Sequence, residues 1–272
     1  MIGDTALLLP FLALLAAGAA AGFAGGLFGI GGGFVVVPAL VLILPLLGTA
    51  PEQLTHVAVG TSLATIIFTS LRSVVSHARR DAVDRSVLRS WAPWVVGGTV
   101  LGAVVADHVS SATLALIFGV GVLGFAIHFL VPKVHDRQLL EAMPGGAARA
   151  SLASGLGLLS ALLGIGGGTI TTVTMTMCGT PIHRAIGTAS GMGAIIAVPA
   201  SLGFMLIGLD ETGLPWGSLG YVNLPAAAAV IVTSVLCAPL GVAVAHKLSP
   251  KLLRTVFGLY LVFVGVTMIT NS

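Results

Sequence analysis

The chain has 272 residues, of which 56% are apolar and only 8% charged, with a mean hydropathy of +1.08. A soluble domain carries about 25% charged residues, so this sequence cannot clothe a core in a water-facing shell. The net charge of +3 is no nucleic-acid signal, because it reflects where a few cations sit. Cys178 and Cys237 both lie in apolar segments and offer neither a disulfide framework nor a metal-ligand spacing. No cofactor is expected.

In chain order, the first apolar run is Leu7–Phe28. It lacks a positive leading region and runs straight into more apolar sequence, so it reads as a membrane helix rather than a cleaved signal. Phe34–Gly48, Val57–Ser76, Trp91–Val109 and Ala112–Val131 complete a first half, residues 1–131. Residues 132–149 form a polar linker with Pro132, Lys133, His135, Asp136, Arg137, Glu141 and Pro144. Ala150–Leu163, Thr169–Cys178, Ala185–Leu209, Val222–His246 and Leu252–Ile269 make a second half, 150–272. A crossing helix needs about 20 apolar residues. The second and seventh runs are too short for that and are expected to be broken or re-entrant helices.

All twelve Lys and Arg residues fall in alternate gaps between these runs or, for Arg72 and Arg254, in the end of a run that borders such a gap. Such bias sets orientation, with the cationic gaps on the cytoplasmic side. The expected product is a multi-pass protein of the inner cell membrane with both termini outside the cytoplasm.

The halves repeat each other. Phe28–Gly33 (FGIGGG) matches Leu163–Gly168 (LGIGGG) at an offset of 135, and His56-x-Ala-x-Gly-Thr61 matches His183-x-Ala-x-Gly-Thr188 at 127. Leu101-Gly-x-x-Val-Ala106 matches Leu240-Gly-x-x-Val-Ala245 at 139. Order is preserved throughout. Each half holds an odd number of runs, so the second is expected upside down relative to the first. The expected fold is an all-α membrane protein of about ten transmembrane segments in two inverted five-helix repeats, an arrangement used by transporters.

The glycine triplets are the leading candidate site: Gly31, Gly32 and Gly33 in one half, Gly166, Gly167 and Gly168 in the other. Each breaks a helix just before a new one starts, at Phe34 and at Thr169. A helix N-terminus offers free N–H groups and partial positive charge, which suit an anion. The same glycines could instead serve close helix packing. Thr61, Ser62 and Thr188 could add neutral hydroxyl donors, as could Thr169, Thr171 and Thr172. Such hydroxyls also commonly bond the preceding turn's carbonyl. His56 and His183 occupy matching positions at helix starts, as interfacial residues or as gates. Arg72 and Arg184 are candidates for an anion-attracting vestibule, or simply snorkel. All nine acidic residues lie in loops, in termini or, for Asp107, at the very end of a run. Without a mid-membrane carboxylate, cation transport is disfavoured. Proton coupling would need a histidine or a proton on the substrate. No P-loop is present. Trp91, Trp94, Trp216, Tyr221 and Tyr260 read as an aromatic belt at the interfaces.

The paired GIGGG segments, Pro38 after the first, and the A-x-G-T-[SA] elements at Ala58–Ser62 and Ala185–Ala189 resemble the TauE/SafE family of permeases, often called sulfite exporters. The resemblance covers nearly the whole chain. It implies transport of small sulfur-containing anions such as sulfite, sulfoacetate or thiosulfate, and of other organic anions in some members. Carried onto this chain, the motif residues are Gly31, Gly32, Gly33, Thr61, Ser62, Gly166, Gly167, Gly168 and Thr188. The second half carries Ala189 where the first has Ser62, so the two halves cannot donate identically. The expected partners are a small anionic substrate and the lipid bilayer, not nucleic acid. Homo-oligomerisation is left open. An anion channel would use the same donors, as would a permease for a non-sulfur organic anion. An intramembrane enzyme would need a nucleophile with a positioned base, but His56 and His183 are expected on opposite sides of the membrane and no nucleophile-elbow G-x-S-x-G occurs.

Overall fold

The computed structural model describes residues 2–28, 31–131, 142–245 and 249–270. Helix α1 spans Ile2–Phe28 and α2 Gly33–Ile43, which tightens into a 3₁₀ turn at Leu44–Leu47. Helix α3 covers Leu54–Ala78, α4 Arg85–Asp107 and α5 Ser111–Leu130. The second half holds α6 (Gly146–Leu163), α7 (Gly168–Met177), α8 (Ile182–Ile207), α9 (Leu224–Ala245) and α10 (Pro250–Thr270). Helix ends follow local chemistry. Asp84 caps α4 by accepting from Ser86 N and Val87 N at 3.0 and 3.2 Å. Ser110 caps α5 by accepting from Thr113 N at 3.1 Å. Gly164, at φ +60°, ends α6.

Among the described residues, 7 helices are long and apolar enough to cross a membrane. The chain is thus an all-α, multi-pass membrane protein. Helix α2 with its 3₁₀ turn is shorter, as expected, and α7 is shorter still and rich in threonine. Helix α6 begins at Gly146 rather than Ala150, because Gly145–Arg149 carries no helix breaker beyond its own capping glycines. Of the expected linker, 132–141 lies outside the described residues. One feature was not anticipated. Ser218–Leu219 and Val222–Asn223 form a small antiparallel hairpin, β1 and β2, ahead of α9. Gly217 and Gly220 at positive φ make its turns.

Lipid offers no hydrophobic drive for helices to associate, so close approach depends on small residues. Helix α1 lies on α9, where Gly22 abuts the Ser234 carbonyl and Gly241 the Phe23 carbonyl. Helix α4 lies on α6, where Gly157 abuts the Val95 carbonyl and Gly102 that of Leu158. These are the same contacts twice, exchanged by the offsets of 135 and 139 in the sequence. A side chain at any of these four glycines would drive the helices apart.

Helices α3 and α8 fill the centre. Of the most apolar part of the α3 span, 78% is buried, against 39% for α4 or α5. They run antiparallel. Gly60 faces Phe204, Ser73 faces Ser190, and Gly187 faces His77. Helices α5 and α10 pack along one flank, where Phe118, Phe125 and Phe257 surround Phe34 with ring centroids 5.8–6.5 Å apart. The Tyr260 hydroxyl donates to the Phe34 carbonyl at 3.0 Å. The α3–α4 connection, with Arg79, Arg80, Arg85 and Arg89, meets the start of α8, where Gly187 abuts Ala82. Helix α6 runs parallel to α4, its Ser154 hydroxyl donating to the Trp94 carbonyl at 3.2 Å, and so brings Arg149 to the same end.

The aromatic belt needs correcting. Trp94 and Trp216 are exposed, but Trp91 and Tyr221 are buried. Trp91 packs with Val95, Leu156 and Ile196 between α4, α6 and α8. Tyr221 stacks on His56, and Tyr260 is held at the Phe34 carbonyl. Their rings fill core space between helices, a demand that interface propensity does not register.

Candidate functional site: two glycine turns that meet in the core

Gly31 and Gly32 adopt φ +70° and +86°, and Gly166 and Gly167 adopt +63° and +68°. Two successive left-handed residues are open to glycine at low cost and to few others. Each pair turns the chain directly into a helix, α2 at Gly33 and α7 at Gly168. No side chain among the described residues caps either helix. The Gly32 carbonyl accepts from Val35 N and Val36 N at 2.9 and 3.0 Å, and the Gly167 carbonyl from Thr171 N at 2.9 Å. The remaining N–H groups of each first turn are left without a helical acceptor. Successive N–H groups in such a turn make an anion-binding concavity, and each helix end adds about half a positive charge.

The two turns are 135 residues apart in sequence but adjacent in space. Gly33 lies against the Gly164 carbonyl and Ile165, the latter's Cα 2.7 Å from where a Gly33 Cβ would sit. Gly31 and Gly166 both abut the Ile66 side chain. All six motif glycines are buried. Ser62 was expected to donate to a ligand; it donates instead to the Gly164 carbonyl at 2.9 Å and so braces the second turn.

Ser70 was not anticipated. Its Oγ lies 3.2 Å from where a Gly31 Cβ would sit, and it also faces Gly193 beside the Gly166 carbonyl. It is 0% exposed and has no hydrogen-bond partner among the described residues. The only local signal was a Thr69–Ser70 pair in mid-span. Its neighbour Thr69 is accounted for by the Thr65 carbonyl and Ser234. Thr169, Thr171 and Thr172 are also buried, with hydroxyls that lack a partner among the described residues.

The remaining candidates lie elsewhere. Thr61 Oγ1 accepts from Asn223 N at 2.9 Å. Thr188 Oγ1 accepts from Asp84 N at 2.8 Å and donates to the Arg184 carbonyl at 2.8 Å. Asn223 and Asp84 in turn cap α9 and α4 through Ala226 N and Ser86 N. The two threonines therefore do the same job at opposite ends of the α3–α8 pair, roughly 20 Å apart at about 1.5 Å per residue. His56 and His183 share a motif position but not an environment. His56 is buried, its Nε2 3.0 Å from the Ala106 carbonyl and its ring stacked on Tyr221 at 4.9 Å. His183 is exposed. Burial, with Glu211 and Asp107 nearby, pushes the Tyr221 hydroxyl up to about 12, so Tyr221 stays neutral at physiological pH. Arg184 pairs with Asp84 at 3.0 Å, a half-exposed contact of modest value. Arg72 is exposed on α3, whereas Ser73 and His77 are buried. The described residues hold no cluster of His, Cys, Asp or Glu suited to a metal ion.

The chain is a multi-pass helical membrane protein in which two buried helix starts, neither capped by a described side chain, face one another. Residues 14–268 match the model of the sulfite exporter TauE/SafE family, and the chain belongs to that family. It is 31% identical over 259 residues to a "Probable membrane transporter protein" of Haemophilus influenzae, covering 94% of this chain and 97% of the relative. A probable membrane transporter protein of Methanocaldococcus jannaschii is 29% identical, covering 97% and 96%. One from Bacillus subtilis is 25% identical, covering 96% and 98%. No solved structure gives a significant match.

Proposed function

We propose that the protein is a secondary transporter of the inner cell membrane that carries a small anion, sulfite or an organosulfonate such as sulfoacetate, by alternating access. The observation that carries this reading is the meeting of two glycine turns in the core. In this proposal the amides of Gly31–Gly33 and Gly166–Gly168 hold the oxyanion, with Thr169 at the start of α7 beside them. Thr61, Ser62 and Thr188 support the site by fixing the turns and the neighbouring helix starts. Together two helix ends supply about one positive charge. That matches a monoanion without a fixed cation that would slow release. The repeated α1–α9 and α4–α6 contacts support two inverted five-helix repeats, 1–131 and 150–272, which rock against each other around the site. The arginine-bearing end would face the cytoplasm, with both termini on the opposite side; Arg72 and Arg184 would flank the inner mouth. His56 and His183 would stand at the two ends of the α3–α8 pair.

The test is uptake of radiolabelled sulfite into proteoliposomes of purified protein, with and without a pH gradient. Saturable flux with counterflow, competed by sulfoacetate or thiosulfate but not chloride, is expected. Flux that neither saturates nor shows counterflow would make the protein a channel. Transport of another organic anion alone would move the substrate and keep the mechanism. Sidedness has its own check, since Glu52 and Arg85 are both exposed. Cysteines placed there should react with an impermeant thiol reagent from opposite sides of the membrane; same-side reaction would overturn the topology.

A further inference from the structure

At four positions along the seam between α3 and α8, the residues toward the arginine-bearing end are polar and their repeat-related counterparts toward the other end are apolar. From the glycine turns toward the arginine-bearing end, α3 presents Ser70, Ser73 and His77, all buried. Across the seam α8 presents Ser190, whose Oγ is 3.0 Å from Ser73 Oγ. The offset of 127 relates these four residues to Ala197, Ala200, Phe204 and Leu63, which are equally buried. The packing is otherwise shared. Gly187 meets the His77 side chain and the Ala82 carbonyl, while Gly60 meets the Phe204 side chain and the Tyr221 carbonyl.

Packing therefore explains the shape of both half-seams but not the polarity of one. A buried hydroxyl left unpaired costs about 1–3 kcal/mol, and the related positions show that alanine fits. Ser70 bears that cost. It stands at the inner end of the polar half, against Gly31 on one side and Gly193 and the Gly166 carbonyl on the other. The spacing of Ser70, Ser73 and His77 sets them on one face of α3 over about 10 Å. The outer end of this stripe is the Arg184–Asp84 pair beside Thr188.

We infer that the α3–α8 seam is the route by which a small hydrogen-bonding oxyanion passes between the glycine turns and the arginine-bearing end of the protein. This rests on the transport reading above. Ser70 receives the anion as it leaves the turns. The Ser73–Ser190 pair is the constriction, opened by separating two hydroxyls, and His77 lines the widening beyond it. The other half-seam is closed by rings. His56 lies 4.9 Å from Tyr221 and 6.5 Å from Phe204, which lies 6.5 Å from Tyr221. The two gates are thus unequal in chemistry, one a hydroxyl pair and the other an aromatic plug.

The test needs no knowledge of the substrate. In a Cys178→Ala/Cys237→Ala background, single variants Ser73→Cys, Ser190→Cys, Ala200→Cys and Leu63→Cys are reconstituted in vesicles of known orientation. They are exposed to methanethiosulfonate ethylsulfonate, itself a small impermeant sulfonate. Ser73→Cys and Ser190→Cys should react from the arginine-bearing side much faster than the other two react from either side. Equal reaction at Leu63→Cys or Ala200→Cys, or reaction of the seam variants only from the opposite side, would overturn the route. A second readout is flux through full-length protein. Ser190→Leu, which places the Leu63 side chain in the polar half, should cut sulfite flux roughly tenfold or more, as overpacking a closed seam requires. Ser190→Ala, which removes one hydroxyl of the pair without filling the seam, should lower flux by less than Ser190→Leu does. Wild-type flux in Ser190→Leu would also refute the route. Absence of sulfite flux in the wild type together with one-sided labelling would refute the substrate assignment and leave the route standing.

Discussion

Gly32→Leu and Gly167→Leu should each abolish anion flux while the protein still inserts in the membrane. Gly32 has φ +86°, and a Cβ there would lie 2.7 Å from the Ala21 carbonyl oxygen and 3.0 Å from the Ala21 Cβ. Gly167 has φ +68°, with Ser160 Oγ 2.8 Å from its Cβ position and Ile196 closer still. A left-handed L-residue costs about 1–2 kcal/mol, and overpacking a well-filled site adds about 1–3 kcal/mol. The turn can escape only by moving, and moving it re-aims the amides of the helix start. Gly48 supplies the control, because it has φ +84° but nothing within 4 Å of its Cβ position. Gly48→Ala carries the conformational strain without the clash and should transport near the wild-type rate. Uptake by reconstituted protein, normalised to inserted protein, decides the matter. Wild-type flux in either leucine variant would remove the glycine turns from the mechanism.

Thr61→Val and Thr188→Val test a division of labour within the motif. Each hydroxyl accepts from a backbone N–H that begins a capping residue, Asn223 or Asp84. Valine keeps the shape and strands that N–H, at about 1–3 kcal/mol each. Both variants should lower the apparent Tm in detergent to a similar extent, and Thr→Ser at either position should restore it. The KM for the carried anion should stay near wild type in both. A raised KM with unchanged Tm would move these hydroxyls from the frame into the binding site.

Much of the architecture was legible before any coordinates. The apolar runs, the two short ones and the glycine breaks all reappear, because bilayer thickness and the scarcity of polar residues constrain each segment locally. The glycine turns were legible as helix starts, since three glycines leave few other conformations plausible at membrane depth. Their meeting was an expectation drawn from the repeat. Ser70 was not legible. A serine in an apolar helix usually bonds the preceding carbonyl, as Ser190 does toward Ile186 at 3.1 Å; only its neighbours across the seam show that Ser70 does not. Likewise nothing local distinguishes His56 from His183. The hairpin ahead of α9 supplies Tyr221 to stack on the first, which is buried, whereas the second is exposed.

The sequence by itself determined the solvent of this protein, the number and length of its apolar segments, the places where helices must break, and the end that gathers positive charge. Each of these depends on composition within a window of one helix or loop. Only the tertiary structure decided which groups meet: Gly33 with Gly164, Thr61 with Asn223, Ser70 with the turns of both halves. Those pairings arise where small residues let distant helices close to backbone contact, and a glycine records that something approaches without recording what.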